Sequence, residues 1–276
     1  SQGKQGPAWG QIALFGGGAI AVLVLLFIWI SGGGAAGDVI KRMPASASGV
    51  AAMDLSVLTD DPNFAKLADI GTQMMGAEAK EFLEVMPLTS LKTVGVALDD
   101  TMKKGAFALS GDFEAAKVAS LLADKGKLTE GDIEGKKAWS IDCPGGEAMA
   151  IAVFDNGTLV FGHKAMVSET VKSLSGEGKT VGDNEALSTA LGHIDSGATL
   201  VMAADNINTN TNNSYPGEEA PAGPVITFGL SVNLDSTLAF KVFVKGENEL
   251  AKTQLNQGRM GFEMAKGMAP QAIDAA

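Results

Sequence analysis

The sequence predicts an α+β fold in which one N-terminal transmembrane helix precedes a mostly antiparallel sheet. The sheet is predicted to be built from repeated hairpin–helix units, with the helices on one face. Two observations lead to this expectation: residues 12–30 form an apolar run without a charge, and three later stretches each read as strand, turn, strand and helix. Short turns pair strands antiparallel, and the apolar stripe of each following helix needs cover from the sheet.

The apolar run at residues 12–30 has the length of a membrane span. At about 1.5 Å per residue, a helix over this run comes close to the ~30 Å hydrocarbon core of a bilayer. The apolar region of a signal peptide, which is the competing interpretation, is shorter at about 7–15 residues. Trp9 and Trp29 lie near the two ends of the run, and we expect both to act as membrane-interface anchors.

Small residues inside this run predict a helix-packing interface. Glycines let two membrane helices approach closely, because no side chain separates their backbones. The expected partners are therefore the lipid bilayer, through residues 12–30, and transmembrane helices of a larger membrane complex. The predicted packing positions are Gly16, Gly17, Gly18 and Ala21.

The predicted organisation divides the chain into a short N-terminal tail at 1–11, the transmembrane helix, a Gly-rich spacer or stalk at 31–43, and a soluble domain at 44–276. That domain reads as one unit or as two related lobes. It contains an exposed Asn-rich loop at 205–223. The short tail and the acidic domain favour an orientation with the N-terminus in the cytoplasm and the soluble domain outside it.

Three hairpin–helix units are predicted inside the soluble domain. The turn Asp155-Asn156-Gly157 is the strongest hairpin signal among them. The units are Leu91–Leu98 and Gly105–Ser110 with a helix over Phe113–Ala123, then Ala148–Phe154 and Thr158–Gly162 with a helix over Met166–Leu174, then Val225–Leu234 and Thr237–Lys245 with a helix over Glu247–Ala265.

Other predicted elements lie between or before these units. They are a first strand at Gly49–Leu55, a short hairpin of Leu128–Asp132 and Lys136–Ile141, a helix at Asn184–Leu191 and a buried strand at Ala198–Ala204.

The charge balance argues against nucleic-acid binding. The chain carries a formal net charge of −11, and no arginine-rich or long basic run interrupts it. An acidic domain of this kind repels phosphate backbones. We therefore expect no nucleic acid among the partners.

No recognised chemical motif is present. The sequence lacks the spacing of zinc ligands, a Gly-x-Ser-x-Gly elbow and a phosphate-binding loop. His163 is predicted where a strand passes into a helix, and His193 at a helix end, where solvation or capping explains a histidine. The one cysteine, Cys143, is expected to be a small apolar residue beside a turn. We predict no catalytic residue, no metal site and no cofactor.

Three phrases in the sequence resemble a class of bacterial single-anchor extracytoplasmic proteins of uncharacterised function. They are MPASASGVAAMDL at 43–55, VGVALDD at 94–100 and AVFDNGTLVFGHKAMVSETVKSL at 152–174. The resemblance implies a bacterial envelope location and no reaction. With the predicted anchor and orientation, this means the bacterial inner membrane, with the soluble domain in the periplasm.

These observations together predict a non-enzymatic, membrane-anchored accessory or scaffold subunit of a larger bacterial membrane protein complex. The complex could be respiratory, photosynthetic, secretory or motility-related. The alternative is an extracytoplasmic domain that binds or senses a small molecule, a peptide or a polysaccharide. An apolar pocket between lobes would favour that alternative.

Overall fold

The structure is a computed structural model. It describes residues 36–59, 81, 83–100, 104–142, 148–155, 157–208, 225–234, 238–253 and 255–256.

The described residues form a single antiparallel sheet of ten strands. Across the sheet the strand order is β10-β9-β8-β1-β2-β3-β7-β6-β5-β4. The strands are β1 Gly49–Asp54, β2 Leu91–Leu98, β3 Gly105–Gly111, β4 Thr129–Ile133, β5 Lys136–Asp142, β6 Ala148–Asp155, β7 Thr158–His163, β8 Leu200–Asn208, β9 Val225–Leu234 and β10 Leu238–Gly246.

Helices connect the strands and cover parts of the sheet. Short 3₁₀ turns occur at Leu88–Ser90 and Val181–Asp183, and residues 249–253 are helical after β10. The helices are α1 Ala36–Lys41, α2 Ser56–Thr59, α3 Ala115–Gly126, α4 Lys164–Ser175 and α5 Glu185–Gly192.

Three antiparallel meanders make up the sheet. β1–β2–β3 lies in the middle, β4–β5–β6–β7 joins it through the pairing of β3 with β7, and β8–β9–β10 joins it through the pairing of β8 with β1. α3 carries the chain from β3 to the far edge at β4. α4 and α5 carry it from β7 to β8 on the other side of the molecule.

The two faces of the sheet differ in side-chain size. One face is lined by small residues, and we call it the small-side-chain face. A register row across it reads Phe243, Gly229, Ala203, Val50, Ala97, Ala106, Gly162, Ala150 and Ser140. The neighbouring row on the opposite, large-side-chain face reads Val242, Leu230, Met202, Ala51, Val96, Phe107, Phe161, Ile151 and Trp139.

Helices lie on both faces, so the prediction that they all lie on one face was wrong. α1, α4 and α5 pack on the small-side-chain face, in one core cluster with its alanines. α3 packs on the large-side-chain face, in a second cluster with Trp139, Ile151 and Leu159. The strands β3 and β6 explain this arrangement. Both are apolar at successive positions, so both of their sides must be covered.

The repeated units are also corrected by this arrangement. β2–β3–α3 and β6–β7–α4 share the predicted order of elements, but their helices go to opposite faces. The fold is thus one continuous sheet with two cores, and the units do not superpose as a structural repeat.

The N-terminal part of the described chain belongs to the small-side-chain core. Ala36, Ile40 and Met43 are fully buried there, and Gly37 lies so close to the backbone of Ser196 that any side chain would collide with it. Residues 36–43 of the predicted spacer at 31–43 therefore include α1 and its contacts with the sheet, while 31–35 lie outside the described residues.

The predictions of a single-pass transmembrane helix and of an inner-membrane location are corrected as well. Within the described ranges, no helix is both long and apolar enough to cross a membrane. α3 and α4 have 12 residues each, about 18 Å of helix against a hydrocarbon core of ~30 Å. The run at 12–30 that carried both predictions lies outside the described ranges.

Candidate functional site

The predicted site residues are not among those the structure describes. Trp9, Trp29 and the small residues Gly16, Gly17, Gly18 and Ala21 all fall in the segment before Ala36. Their roles as interface anchors and as a helix-packing surface stay predictions. Candidate sites on the described part of the chain have to be built from other residues.

The two histidines lie at helix ends, but the His163 side chain forms no capping hydrogen bond, and its buried Nδ1 has no hydrogen-bond partner within the described residues. His163 ends β7 and is the N-cap residue of α4. His193 follows α5 directly, and its ring stacks on Phe243 with ring centroids 4.5 Å apart and planes 10° apart. This stack lies on the small-side-chain face at the edge strand β10, where Phe243 packs against the core. Within the described ranges, no group of three His, Cys, Asp or Glu residues is placed to hold a metal ion.

One polar cluster lies on the surface between the β4–β5 turn and α4. Ser168 donates a hydrogen bond to Glu134, and the Lys172 ammonium lies 3.4 Å from the same carboxylate. The Ser168 hydrogen bond and then the Lys172 charge lower the pKa of Glu134, and the Glu134 charge in turn raises the pKa of Lys172. The cluster fastens the hairpin to the helix. Because its groups are solvent-exposed and mutually satisfied, it has the character of a surface ion pair.

A second polar cluster ties the ends of β8, β9 and β10 together. The buried Thr227 hydroxyl lies 3.0 Å from an Asp205 oxygen and 2.7 Å from a Glu247 oxygen. The Thr227 hydrogen bond is the largest influence on Glu247 and lowers the pKa of its carboxyl. A hydroxyl has one proton, so it donates to one carboxylate at a time.

An open groove lies where α3 begins. It is lined by Val85, Phe113 and Lys117 together with the acidic side chains of Glu84, Asp112 and Glu114. Its cation is already paired, since Lys117 forms an ion pair with Glu114 at 2.6 Å. The groove offers neither an apolar pocket nor a free cation to a ligand.

The strand β9 carries an unusual distribution of polarity. Its residues alternate strictly, with Thr227, Gly229, Ser231 and Asn233 on one side and Ile226, Phe228, Leu230 and Val232 on the other. An alternating strand ordinarily buries its apolar side and exposes its polar side.

In β9 the polar side is the buried one. Thr227 and Ser231 are 1% and 2% exposed, and the Ser231 hydroxyl accepts a hydrogen bond from the Asp195 amide at 3.0 Å. Gly229 belongs to the same side, where a Cβ would lie 3.0 Å from the Ala190 carbonyl oxygen of α5. The apolar residues of β9 are only partly buried. An alternating strand is expected to bury its apolar side. In β9 the apolar side is the one that no described helix covers.

The apolar side of β9 is the centre of a larger surface on the large-side-chain face. Met202 of β8 and Val244 of β10 are each 36% exposed, and Val242 is 50% exposed. Leu230 pairs with Met202 on one side and with Val242 on the other. We call Met202, Leu230, Val242 and Val244 the uncovered patch.

Exposure falls along the large-side-chain face from this patch toward α3. In the row described above, Val242 is half exposed, Phe107 and Phe161 are partly buried, and Ile151 and Trp139 are 8% and 6% exposed. Phe107 and Phe161 stack with ring centroids 5.3 Å apart. The large-side-chain face is therefore buried at one end of the sheet and exposed at the other.

The uncovered patch is not among the predicted site residues. Its signal is present in the third predicted unit, where each strand places large apolar residues on one side. The helix predicted over Glu247–Ala265 was expected to cover the sheet there, so no exposed apolar surface was predicted.

Known proteins share only a distant likeness with this chain. No protein-family model matches the chain, and no curated protein matches its sequence. Crystal form IV of TP0453 aligns over 75% of this chain and 79% of its own, with 9% identity and a TM-score of 0.44. Crystal form III of TP0453 aligns over 79% of this chain and 85% of its own, with 11% identity and a TM-score of 0.42. Likenesses at this level carry no inference about activity or partners.

The fold and the site define the described part as one antiparallel sheet of ten strands, with helices on both faces and two cores. Its candidate functional site is the uncovered patch, an apolar surface on the large-side-chain face at β8–β10.

Proposed function

We propose that this protein is a non-enzymatic accessory or scaffold subunit of a larger protein assembly, and that it binds a partner through the uncovered patch. The observation that carries the proposal is the inverted strand β9, which buries Thr227 and Ser231 and leaves its apolar side partly open. A contiguous exposed apolar surface marks a site of interaction.

The chemistry of the patch supports binding over catalysis. Its side chains are aliphatic or thioether groups, which fill a contact with an apolar partner but neither donate nor accept protons. The titratable groups that the structure places in clusters, such as Glu134 with Lys172, lie in exposed ion pairs instead. The partner is therefore expected to offer an apolar surface of comparable size.

The size of the patch indicates what kind of partner it fits. The whole face of three strands, each about 30 Å long and spaced about 4.8 Å apart, covers roughly 400 Å², and the four residues of the uncovered patch occupy a part of it. A standard protein–protein interface buries about 800 Å² on each partner. An amphipathic helix laid along the strands matches the patch better than a broad flat surface does.

The test is native purification of the tagged full chain, followed by identification of the proteins that co-purify. The informative variant is Val242→Gln with Val244→Gln, which makes the patch polar without adding charge. The matched control is Lys241→Gln with Lys245→Gln, on neighbouring positions whose side chains point to the opposite face. We expect the valine variant to lose its partner at least tenfold relative to the parent chain. The control is expected to keep it.

Equal recovery of the same partners by the parent chain and the valine variant would contradict the proposal. Circular dichroism on both variants shows that the comparison is between folded proteins. The exposed positions of Val242 and Val244 make a large loss of stability unexpected.

A further inference from the structure

The two edges of the sheet differ in length and in the side chains they carry. β4, at one edge, has five residues; its first four are exposed and include Glu130 and Asp132. A short edge strand with charged side chains is protected against pairing with another chain. β10, at the other edge, has nine residues, and all of them pair with β9 without a bulge. The outer edge of β10 is therefore the longer and more regular of the two.

The outer edge of β10 offers backbone groups to a further strand. Among the described strands, β10 pairs with β9 alone. About half of the residues in an edge strand direct their N–H and C=O groups away from the sheet. An extended segment can form hydrogen bonds with these groups, which is the basis of strand addition. The length of β10 allows such a ladder to run for about 30 Å.

The side chains of β10 indicate what such a segment should carry. On the large-side-chain face, Val242 and Val244 are 50% and 36% exposed. On the small-side-chain face, Lys241 and Lys245 are exposed. Lys245 is paired with Glu247 at 3.2 Å, whereas Lys241 forms no ion pair with another described residue. A complementary strand thus places apolar residues beside the valines and acidic residues beside the lysines.

A second copy of the chain fits this edge less well. Antiparallel pairing of two β10 strands centred on Phe243 sets Lys241 of each copy opposite Lys245 of the other, and pairing centred on Lys241 sets two lysines opposite each other. Like charges directly opposite are destabilising. Pairing centred on Val242 sets each Lys241 opposite Phe243 and leaves its charge without a counterion. Both copies also carry a net charge of −11, which opposes their association.

We propose that the outer edge of β10 binds an extended segment of another protein, which joins the sheet as an added strand and alternates apolar with acidic residues. Its apolar side chains lie beside Val242 and Val244, so the added strand widens the uncovered patch. Its acidic side chains lie beside Lys241. This contact goes beyond the proposed function, which needs only the face of the patch and not the edge of the sheet.

Hydrogen exchange of the purified full chain, measured by NMR at single amides, tests strand addition. The probes are two peptides with blocked ends that match the nine residues of β10 in length. One alternates valine with glutamate, and the other alternates valine with lysine. We expect the glutamate peptide to slow the exchange of the outward amides of β10 by about tenfold or more and to leave the amides of β4 unchanged, because only β10 gains a hydrogen-bonded neighbour.

The lysine peptide is the control for charge. Because the chain has a net charge of −11, its overall field attracts the lysine peptide and repels the glutamate peptide. A preference for the glutamate peptide therefore reports the lysines of β10. Equal protection of β10 by the two peptides, or stronger protection by the lysine peptide, would overturn the acidic character assigned to the partner.

Lys241→Glu tests the side-chain contact. Fluorescence anisotropy of the labelled glutamate peptide is expected to show binding about tenfold weaker than to the parent chain, because an attraction becomes a repulsion. The matched control is Lys164→Glu, at the exposed first residue of α4, which changes the net charge equally and should leave binding unchanged. Circular dichroism shows that both variants are folded. Equal weakening by the two variants would contradict a contact at Lys241.

Three results would overturn strand addition itself. One is unchanged exchange of the β10 amides with either peptide. Another is slow exchange of the outward β10 amides in the free monomer, since the chain would then cover its own edge. The third is concentration-dependent dimerisation that protects β10, in favour of a second copy. None of these measurements involves the partner of the uncovered patch. The edge contact can thus fail while the proposed function stands, and the reverse.

Discussion

The large-side-chain face is the same kind of surface at its two ends, yet α3 covers one end and no described helix covers the other. At β5–β7 it contributes Trp139, Ile151 and Leu159 to a core. At β8–β10 it contributes Met202, Val242 and Val244 to the surface. The residue types therefore do not decide burial. The position of the connecting helix decides it.

The strands β9 and β6 differ in which of their sides is covered. β6 places alanines on the small-side-chain face and larger residues beneath α3, so both of its sides are covered. β9 buries Thr227 and Ser231 on its polar side, and both hydroxyls form hydrogen bonds, whereas the buried Oδ1 of Asn233 on the same side has no partner within the described residues. A buried polar group is tolerated when it has a partner, and an unpaired one costs free energy. The inversion of β9 thus has a cost at Asn233 and leaves the apolar half of the strand available.

The largest expected effect comes from the covered end of the large-side-chain face. Leu159→Ala removes a fully buried side chain from the core under α3 and is expected to destabilise the protein by about 3 kcal/mol. Thermal unfolding should show a melting temperature lower by roughly 6–12 °C for a domain of this size.

The matched substitution at the open end is Leu250→Ala. Leu250 is 44% exposed on the helical residues after β10, and its loss is expected to cost less than about 1 kcal/mol. Similar melting temperatures for the two variants would show that Leu250 is as well buried as Leu159.

A smaller effect is expected on the opposite side of β9. Gly229→Ala places a methyl group 3.0 Å from the Ala190 carbonyl oxygen, so α5 has to move away from the sheet. Overpacking of this kind costs about 1–3 kcal/mol, and the reduced entropy of the unfolded chain offsets part of it. Denaturant unfolding should show a net loss of about 1 kcal/mol.

Gly131→Ala serves as its control, because a Cβ at Gly131 on the edge strand β4 meets nothing within 4 Å. Neutral behaviour of Gly229→Ala as well would mean that α5 does not press on the small-side-chain face.

The smallest effect is expected from the surface cluster at the covered end. The pKa of Glu134 is lowered in the folded state, first by the Ser168 hydrogen bond and then by Lys172. A lowered folded-state pKa means that this contribution to stability is present above the unfolded pKa near 4.5. It is lost as the pH falls through the folded value. Glu134→Gln should therefore lower the melting temperature slightly at pH 7 and not at all in strong acid.

Lys172 sets the upper pH limit of the contribution that this cluster makes to stability. Its pKa is raised above 10.5, so its contribution is complete below that pH and is lost as the pH rises through the folded value. A difference between Glu134→Gln and the parent that grows below pH 4 would contradict the assigned ion pair.

Local patterns in the sequence were sufficient to place many elements. β2 and β9 have the predicted bounds, Leu91–Leu98 and Val225–Leu234, because each is a run of apolar or alternating residues that ends at polar residues. The helix predicted at Asn184–Leu191 corresponds to α5, Glu185–Gly192. In the structure the Asn184 side chain accepts a hydrogen bond from the Leu187 amide and caps this helix.

Such local patterns could not predict which face of the sheet each helix covers or where the candidate site lies. The chain order did not show that β3 pairs with β7 and β1 with β8, since both pairs join residues far apart in sequence. Without these registers, the alignment of Val242, Leu230 and Met202 into one patch could not be derived. The apolar alternation of β9 was visible, but the predicted helix over Glu247–Ala265 was expected to cover the sheet.

By itself, the sequence determined strands, turns and helix starts, because these depend on residue periodicity and on hydrogen bonds between near neighbours. Only the tertiary structure decided which face each connecting helix covers, because an amphipathic helix can cross an antiparallel sheet on either side at similar local cost. That choice, made by the packing of α3 against large residues and of α1, α4 and α5 against small ones, left the apolar side of β8–β10 open.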